Sequence, residues 1–190
     1  MNSHTSVTGL VLAGGQGRRV GNRDKGLIEW RGQALIAHVC ERFRPQVDEL
    51  IISCNRNHDH YRQYADQLIS DTQNNARGPL AGLEAAIPVV HSPLLAIVPC
   101  DIPMLDLNLV KHLKTALLES AGDRVDVSYA HDGERGQYLC VLMRRECLHS
   151  VKEYLGDGGR SVRGWHEKQR SVAVDFSDCT ASFNNMNTLN

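Results

Sequence analysis

The loop that follows the first apolar segment constrains this chain more than any other part of its sequence. Residues 8–12 suit a strand buried on both faces, and the chain then continues as AGGQGRRVGNRDK. Gly14, Gly15 and Gly17 have no Cβ, so the backbone there can approach an anion closely. Four basic residues and one aspartate give the loop a charge of about +3, which offsets much of the charge of a triphosphate. The loop therefore predicts a nucleotide or another polyphosphate as ligand.

Two common phosphate-binding loops do not fit this sequence. A Walker A loop requires Gly-Lys followed by Ser or Thr, whereas Gly17 precedes Arg18 and Lys25 precedes Gly26. The dinucleotide fingerprint requires a small residue three positions after Gly17, where this chain has Val20. A glycine cluster alone is equally typical of a flexible turn, and it is the basic residues that favour a phosphate loop.

Size, charge and cysteine content limit the class of protein. A chain of 190 residues suffices for one domain with its own core, so we expect residues 1–190 to form a single domain. The formal net charge of −1 argues against a general nucleic-acid-binding surface. No apolar run reaches the roughly 20 residues that span a bilayer. Six cysteines without a CxxC pair are typical of reduced thiols. We expect a cytoplasmic monomer with no nucleic-acid or membrane partner.

Strands and helices alternate along most of the chain. The predicted strands, all short apolar runs, are residues 8–12, 50–54, 68–70 and 94–98, followed by a hairpin-like pair at 125–130 and 138–143. The predicted helices are residues 33–43, 58–65, 80–87 and 107–118. This alternation predicts an α/β fold with a mostly parallel sheet that helices cover on both faces.

Small and polar residues follow the predicted strands. Ligands of parallel sheets bind beyond the carboxyl ends of the strands, so these residues should meet at one edge. They are residues 13–17, Ser53, Asn55, Asp71 and Asp101. Ser53 and Asn55 lie two positions apart and point the same way, which suits a base or ribose, or simple turn chemistry.

Asp101 lies in the stiff turn PCDIP, which gives its carboxylate a fixed position. One or two carboxylates beside phosphate oxygens suit Mg²⁺, so Asp101, with Asp71 or water, predicts a magnesium site. The alternative is that Asp101 only caps the turn. Lys25 suits a phosphate oxygen and Arg19 can hold phosphate through two nitrogens, although a solvated loop would contain the same residues.

Three further segments are candidates for ligand contact. Gly78 and Gly82 flank Pro79 at a predicted helix start, whose free N–H groups can receive a base or phosphate, although any helix start has such groups. The polar glycine loops at 132–136 and 156–160 are candidates to close over a second substrate, or they are plain connections.

Several motifs resemble those of molybdenum cofactor guanylyltransferases, from one end of the chain to the other. They are LAGG, RR and DKG within residues 12–26, GPLAG at 78–82, PCDIP at 99–103, HDGER at 131–135, VDFSD at 174–178 and NMNT at 185–188. The first loop is shared with many nucleotidyltransferases, whereas the closing motifs occur more narrowly and favour the guanylyl enzymes. At position 53 the family often has asparagine, and Gly136, Gln137 and Tyr138 also differ from the usual residues.

The resemblance implies a Rossmann-like three-layer αβα sandwich that transfers GMP from GTP to the phosphate of molybdopterin and releases pyrophosphate, with Mg²⁺ as cofactor. The implied catalytic residues are Asp101, Lys25 and Arg19, and Asp101 is the metal ligand. The implied GTP contacts are Leu12, Ala13, Gly14, Lys25, Asp71 and Asp101, and the residue patterns described above add Gly15, Ser53, Asn55, Gly78 and Pro79. The implied molybdopterin contacts are Asn22 with the preceding Gly21, Gly82, Arg160, Asn185 and Asn187.

Other functions remain open at this point. Cofactor-insertion proteins and acceptor molybdoenzymes are further partners that the resemblance implies. The closest rival enzymes transfer CMP to molybdopterin or a nucleotide to a sugar phosphate. A protein that binds GTP and delivers the cofactor without turnover is a different class, and an NAD-binding module is disfavoured by Val20.

Overall fold

The computed structural model describes residues 5–14, 24–71, 78–119 and 124–186. The strands are β1 (Val7–Leu12), β2 (Glu29–Trp30), β3 (Gln33–Ala34), β4 (Glu49–Ser53), β5 (Gln67–Ile69), β6 (Leu94–Pro99), β7 (Val127–His131), β8 (Gly136–Arg144) and β9 (Ser171–Asp175). The helices are α1 (Leu35–Phe43), α2 (His58–Tyr61), α3 (Pro79–Ala86), α4 (Leu109–Glu119), α5 (Cys147–Gly156) and α6 (Val162–His166). Short 3-10 turns occupy Lys25–Leu27, Arg44–Gln46, Arg62–Tyr64 and Ser177–Phe183.

Seven strands form the central sheet in the order β5-β4-β1-β6-β8-β7-β9. Strands β5, β4, β1 and β6 are parallel, β8 is antiparallel to both of its neighbours, and β7 and β9 are parallel to each other. The predicted mostly parallel sheet and the β7–β8 hairpin are therefore confirmed. From β1 the chain moves outward to β4 and β5 and then returns to β6 on the other side of β1. The carboxyl ends of β1 and β6 thus flank the point where strand order reverses, which is where such sheets bind ligands.

Helices cover both faces of the sheet. Apolar residues of α1, α2 and α4, such as Phe43, Tyr61 and Leu113, belong to the core on one face. Residues of α3, α5 and α6, such as Leu80 and Trp165, form the core on the other face. The predicted three-layer αβα sandwich is confirmed.

The helices predicted at 80–87 and 107–118 are shifted by one or two residues, and the other two differ more. Helix α1 begins at Leu35 and not at residue 33, because Gln33 and Ala34 pair with β2 in a small hairpin. Arg31 and Gly32 turn this hairpin with positive φ angles of 52° and 81°, as a two-residue hairpin loop requires. The helix predicted at 58–65 is one α-helical turn followed by a 3-10 turn. Helices α5 and α6 and strand β9 had no counterpart in the prediction.

The six cysteines are free thiols, and five of them are buried. Burial raises the pKa of Cys54 and of Cys147 to about 11 and that of Cys40 to about 12. These cysteines are protonated at neutral pH and pack in the interior, and the free thiols agree with the reduced state predicted from the sequence. In the portion of the chain that the structure describes, no helix is both long enough and apolar enough to cross a membrane.

Candidate functional site

Strand β1 ends side by side with both of its neighbours. The Ala13 N–H donates to the carbonyl of Ser53 over 2.8 Å, and the Cys100 N–H donates to the carbonyl of Leu12 over 3.2 Å. The first loop therefore leaves the sheet directly beside the turn that carries Asp101. Residues that the sequence placed after separate strands do meet at one edge.

Lys25 and Asp101 form the centre of this edge. The Lys25 ammonium donates to Oδ2 of Asp101, across 76 positions of sequence. Both side chains are largely shielded, with 24% of Lys25 and 8% of Asp101 exposed. The second oxygen of Asp101, Oδ1, is buried and has no hydrogen-bond partner among the residues described. Buried polar atoms are nearly always satisfied, so an oxygen left open in this position fits a metal ligand.

A second carboxylate lies where β4 and β5 end. Oδ1 of Asn55 accepts the backbone N–H of Asp71 over 3.0 Å, and Nδ2 of Asn55 is 3.5 Å from the carbonyl of Gly14. A Cβ on Gly14 would lie 3.3 Å from Nδ2 of Asn55. Oδ1 of Asp71 is also buried without a hydrogen-bond partner among the described residues. Asn55 thus ties the start of the first loop to Asp71.

The charges at this edge suit an ion that keeps water and phosphate ligands. Within the described ranges, no group of three or more His, Cys, Asp or Glu residues is close enough to hold a metal. Magnesium needs no such cage, because it binds through one or two carboxylates plus substrate phosphates and water. The open oxygen of Asp101 meets that requirement.

Sequence reasoning missed a buried network around Asp24, the residue before Lys25. The Tyr61 hydroxyl donates to Oδ1 of Asp24, and Nδ2 of Asn57 donates to Oδ2 over 2.9 Å. Nε of Arg56 lies 3.7 Å from the same Oδ2. In the sequence, Asp24 is recognisable only as one charge in the loop. Its one local signal was the glycine after Lys25, which leaves room for the tyrosine.

Ser53 and Gly82 contact each other inside the molecule. Ser53 is 1% exposed, and a Cβ on Gly82 would lie 2.9 Å from its Oγ and 2.7 Å from Cδ2 of Leu12. Gly82 therefore lets α3 pack closely on β1 and β4. Gly78, at φ 65° and ψ −154°, has a backbone conformation that favours glycine, and Pro79 begins α3 after it. Substrate contacts by Ser53, Gly78, Pro79 and Gly82 stay a prediction.

The C-terminal segment is attached to the turn that carries Asp101. The backbone N–H of Met186 donates to the carbonyl of Asp101 over 2.9 Å, which places the exposed Asn185 beside this turn. Phe176 and Phe183 are buried with ring centroids 5.5 Å apart, and they anchor the segment in the core. Asn185 and Met186, the first two residues of the closing motif, are thus held at the same sheet edge as the end of β1.

Other predicted residues lie elsewhere or outside the described ranges. Arg160 donates through Nη1 to the carbonyls of Leu155 and Gly159, at the end of α5, over 3.1 and 2.6 Å. Its role toward the second substrate remains a prediction. The predicted site residues that lie outside the described part of the chain are Gly15, Arg19, Gly21, Asn22 and Asn187.

The sheet order and the lysine–aspartate pair at its switch point define an α/β protein of the nucleotidyltransferase class. A family model described as the MobA-like NTP transferase domain matches residues 9–172. The chain belongs to this family, which confirms the resemblance inferred from the sequence motifs.

Curated relatives cover nearly the whole chain. A molybdenum cofactor guanylyltransferase of Shewanella sediminis (strain HAW-EB3) is 37% identical over 182 residues, which are 96% of this chain and 91% of the relative. A protein of the same name from Ectopseudomonas mendocina (strain ymp) is 41% identical over 94% of this chain and 86% of its own length. These relatives support the prediction of a nucleotidyltransferase.

A solved structure shares the fold. The molybdopterin-guanine dinucleotide biosynthesis protein A from Archaeoglobus fulgidus superimposes with a TM-score of 0.75 at 23% identity. The match covers 95% of this chain and 92% of that protein. The arrangement of layers is therefore common to both proteins.

Proposed function

We propose that this protein transfers GMP from GTP to the phosphate of molybdopterin, which forms the guanine dinucleotide cofactor and releases pyrophosphate. The observation that carries the proposal is the pairing of Lys25 with Asp101 at the switch point of the sheet, with an open carboxylate oxygen beside it. The names of the curated relatives, which are 36–41% identical to this chain, agree with it.

The reaction joins two anions, so its barrier is mainly one of charge and position. An oxygen of the molybdopterin phosphate attacks the α-phosphorus of GTP, the bond from that phosphorus to the β-phosphate oxygen breaks, and pyrophosphate leaves. The attacking phosphate is already ionised at neutral pH, so no protein base is needed. A protein nucleophile is not needed either, because the phosphate oxygen attacks directly. Alignment and neutralisation of the phosphates therefore account for catalysis.

The first loop and Lys25 bind the nucleotide phosphates. Leu12, Ala13 and Gly14 lead the backbone out of β1 beside Asp101, and the absent side chain at Gly14 lets Asn55 lie close to this backbone. The Lys25 ammonium is a compact charge suited to a phosphate oxygen. Arg19 and Gly15 belong to the same loop, and we propose them as further phosphate contacts.

Asp101 is the residue that would hold Mg²⁺, through the oxygen that has no protein partner among the described residues. When bound there, the ion neutralises charge on the phosphates. Asp71 presents a second open oxygen near the start of the loop. Asn55, between Gly14 and Asp71, and Ser53 remain candidates for ribose and base contact, with Gly78 and Pro79 at the start of α3.

The second substrate approaches from the C-terminal half. Asn185 lies beside the turn that carries Asp101. Its amide can therefore donate a hydrogen bond to a molybdopterin phosphate bound near the Asp101 carboxylate. We propose Asn187, Arg160, Gly82 and the Gly21-Asn22 pair as further molybdopterin contacts. We also propose that residues 1–190 act as one domain and as a monomer in the cytoplasm, with acceptor molybdoenzymes and cofactor-insertion proteins as later partners.

A nucleotide panel tests the proposal. Purified protein with molybdopterin and Mg²⁺ receives GTP, CTP, UTP or ATP, and pyrophosphate release is measured together with the nucleotide found in the product. We expect pyrophosphate release with GTP and not with the other three nucleotides, and a product that contains guanine. Preference for CTP would indicate the cytidylyl reaction, and GTP binding without pyrophosphate release would indicate a delivery protein.

A further inference from the structure

We propose that Tyr61 is a positioning residue for Lys25. Tyr61 acts through the buried carboxylate of Asp24. This carboxylate fixes the turn at Asp24 and Lys25, so that the Lys25 ammonium contacts Asp101. The inference rests on the proposed function only for its effect on turnover, since the contacts themselves are independent of the reaction.

Asp24 is held from several sides. It is 9% exposed, and each of its carboxylate oxygens accepts a hydrogen bond, one from the Tyr61 hydroxyl and one from Nδ2 of Asn57. Its own carbonyl accepts the backbone N–H of Leu27 over 3.1 Å, which closes the turn around Lys25. Because both the side chain and the backbone of Asp24 are fixed, the next residue has a defined direction. That direction brings the Lys25 ammonium to Oδ2 of Asp101.

The sequence around Lys25 makes room for Tyr61. A Cβ on Gly26 would lie 2.5 Å from the Tyr61 hydroxyl oxygen, so any larger residue would displace the tyrosine from Asp24. Tyr61 itself is fully buried at the end of α2. Burial, and then the hydrogen bond to Asp24, raise the pKa of Tyr61, so its hydroxyl remains a donor throughout the physiological range.

The network also joins the two loops that we propose for the nucleotide. Arg56 and Asn57 follow Asn55 directly in the loop after β4. Asp24 therefore connects the proposed phosphate contact, Lys25, to the loop proposed for the ribose and base. Tyr61 anchors this connection to the core below the sheet edge. Rigid support of this kind is what holds a binding group within a fraction of an ångström of its working position.

The test replaces Tyr61 with phenylalanine, which keeps the ring and removes only the hydroxyl. The matched control is Tyr64→Phe, three positions further on. Tyr64 is a half-buried tyrosine packed on the same core, and its hydroxyl makes no hydrogen bond within the described residues. Should Tyr61→Phe not fold, Asn57→Gly removes the other donor while suiting the positive φ of 56° at that position.

The first measurement does not depend on turnover. The sequence has only five lysines, so ¹⁵N-lysine labelling gives few ammonium signals, and Lys25→Met identifies that of Lys25. We expect a protected Lys25 signal in the unmodified protein and in Tyr64→Phe, and its loss in Tyr61→Phe. An unchanged Lys25 signal in Tyr61→Phe would overturn the proposal, whatever the protein does with GTP.

The second measurement asks whether Tyr61 acts through Lys25. Tyr61→Phe should lower kcat/KM for GTP by about tenfold, the effect expected when a hydrogen bond to a charged group is lost. In a Lys25→Met background the same substitution should have no further effect. Equal losses in both backgrounds would show that Tyr61 acts independently of Lys25. If the unmodified protein releases no pyrophosphate while the Lys25 signal still depends on Tyr61, the proposed function fails and the positioning role stands.

Discussion

The ammonium of Lys25 pairs with Oδ2 of Asp101, so the lysine that we propose for phosphate binding occupies one oxygen of the proposed metal ligand. A divalent ion and Lys25 therefore compete for the same carboxylate until nucleotide phosphates offer the lysine another partner. This competition couples metal binding to nucleotide binding. It also predicts that the two ligands bind better together than separately.

Lys25→Met should raise the affinity of the nucleotide-free protein for Mn²⁺, because the competing charge is removed. We expect about a tenfold increase, since charges a few ångströms apart near a protein surface interact by a few kcal/mol and Lys25 is partly exposed. The affinity for GTP should fall in the same variant. Titration with Mn²⁺, followed by electron paramagnetic resonance, measures the first effect. Lys111→Met, at an exposed lysine of α4, is the control. Equal Mn²⁺ affinity in all three proteins would contradict the competition.

Asp101→Asn should separate activity from stability. Transfer should fall by roughly a thousandfold or more, because the metal-binding charge is lost. The free energy of unfolding should fall by only about 1–3 kcal/mol, because the asparagine amide keeps an oxygen that can accept from Lys25, whose ammonium side chain is 24% exposed to solvent. Pyrophosphate release and urea unfolding measure the two quantities. Normal turnover in this variant with Mg²⁺ would remove Asp101 from the metal role.

Lys25 and Asp101 could be predicted from sequence because each lies just after a recognisable apolar strand or its loop. Parallel strands bring their carboxyl ends to one edge, so residues 76 positions apart meet without any knowledge of side-chain packing. The same argument placed Asn55 and Asp71. Strand direction and residue type were sufficient for these positions.

The contacts of Tyr61 could not be predicted in this way. Its partner Asp24 is 37 positions away, and the two meet only because α2 packs against the turn that begins at Asp24. An aromatic residue on the buried side of a short helix has the sequence pattern of an ordinary core residue. The hydrogen bond from Met186 to Asp101 could not be predicted from the sequence either, because it joins two backbone atoms. Helices α5 and α6 and strand β9 were also not predicted, and α6, with five residues, is too short to show a helical period in the sequence.

Gly82→Ala should destabilise the protein, because its Cβ would lie 2.7 Å from Cδ2 of Leu12 and 2.9 Å from Oγ of Ser53. Moving α3 off the sheet should cost about 1–3 kcal/mol, the usual cost of overpacking. Gly156→Ala is the matched control, since a Cβ there would meet no atom within 4 Å. At that helical position alanine should be neutral or stabilising by up to about 1 kcal/mol. Chemical unfolding of the two variants gives the comparison. Equal stability would mean that α3 does not need a glycine there.

His166 should make the protein sensitive to mild acid. It is buried against the rings of Tyr129, Tyr138 and Trp165, and its Nε2 donates to the carbonyl of Tyr138 over 3.1 Å. Its Nδ1 is buried without a partner in the described part of the chain, so a proton there would be unsolvated. Burial lowers the pKa of His166 from 6.5 to about 4.

The unfolded chain therefore binds a proton at His166 between pH 6.5 and pH 4, where the folded protein does not. His166 therefore does not lower the free energy of unfolding above pH 6.5. As the pH falls from 6.5 toward 4, it lowers that free energy by about 3 kcal/mol in total. His166→Gln should flatten this part of the curve of unfolding free energy against pH, whatever its effect at pH 7. His149→Gln, at an exposed histidine of α5, should leave the slope unchanged. A slope that persists in His166→Gln would assign the acid sensitivity to other groups.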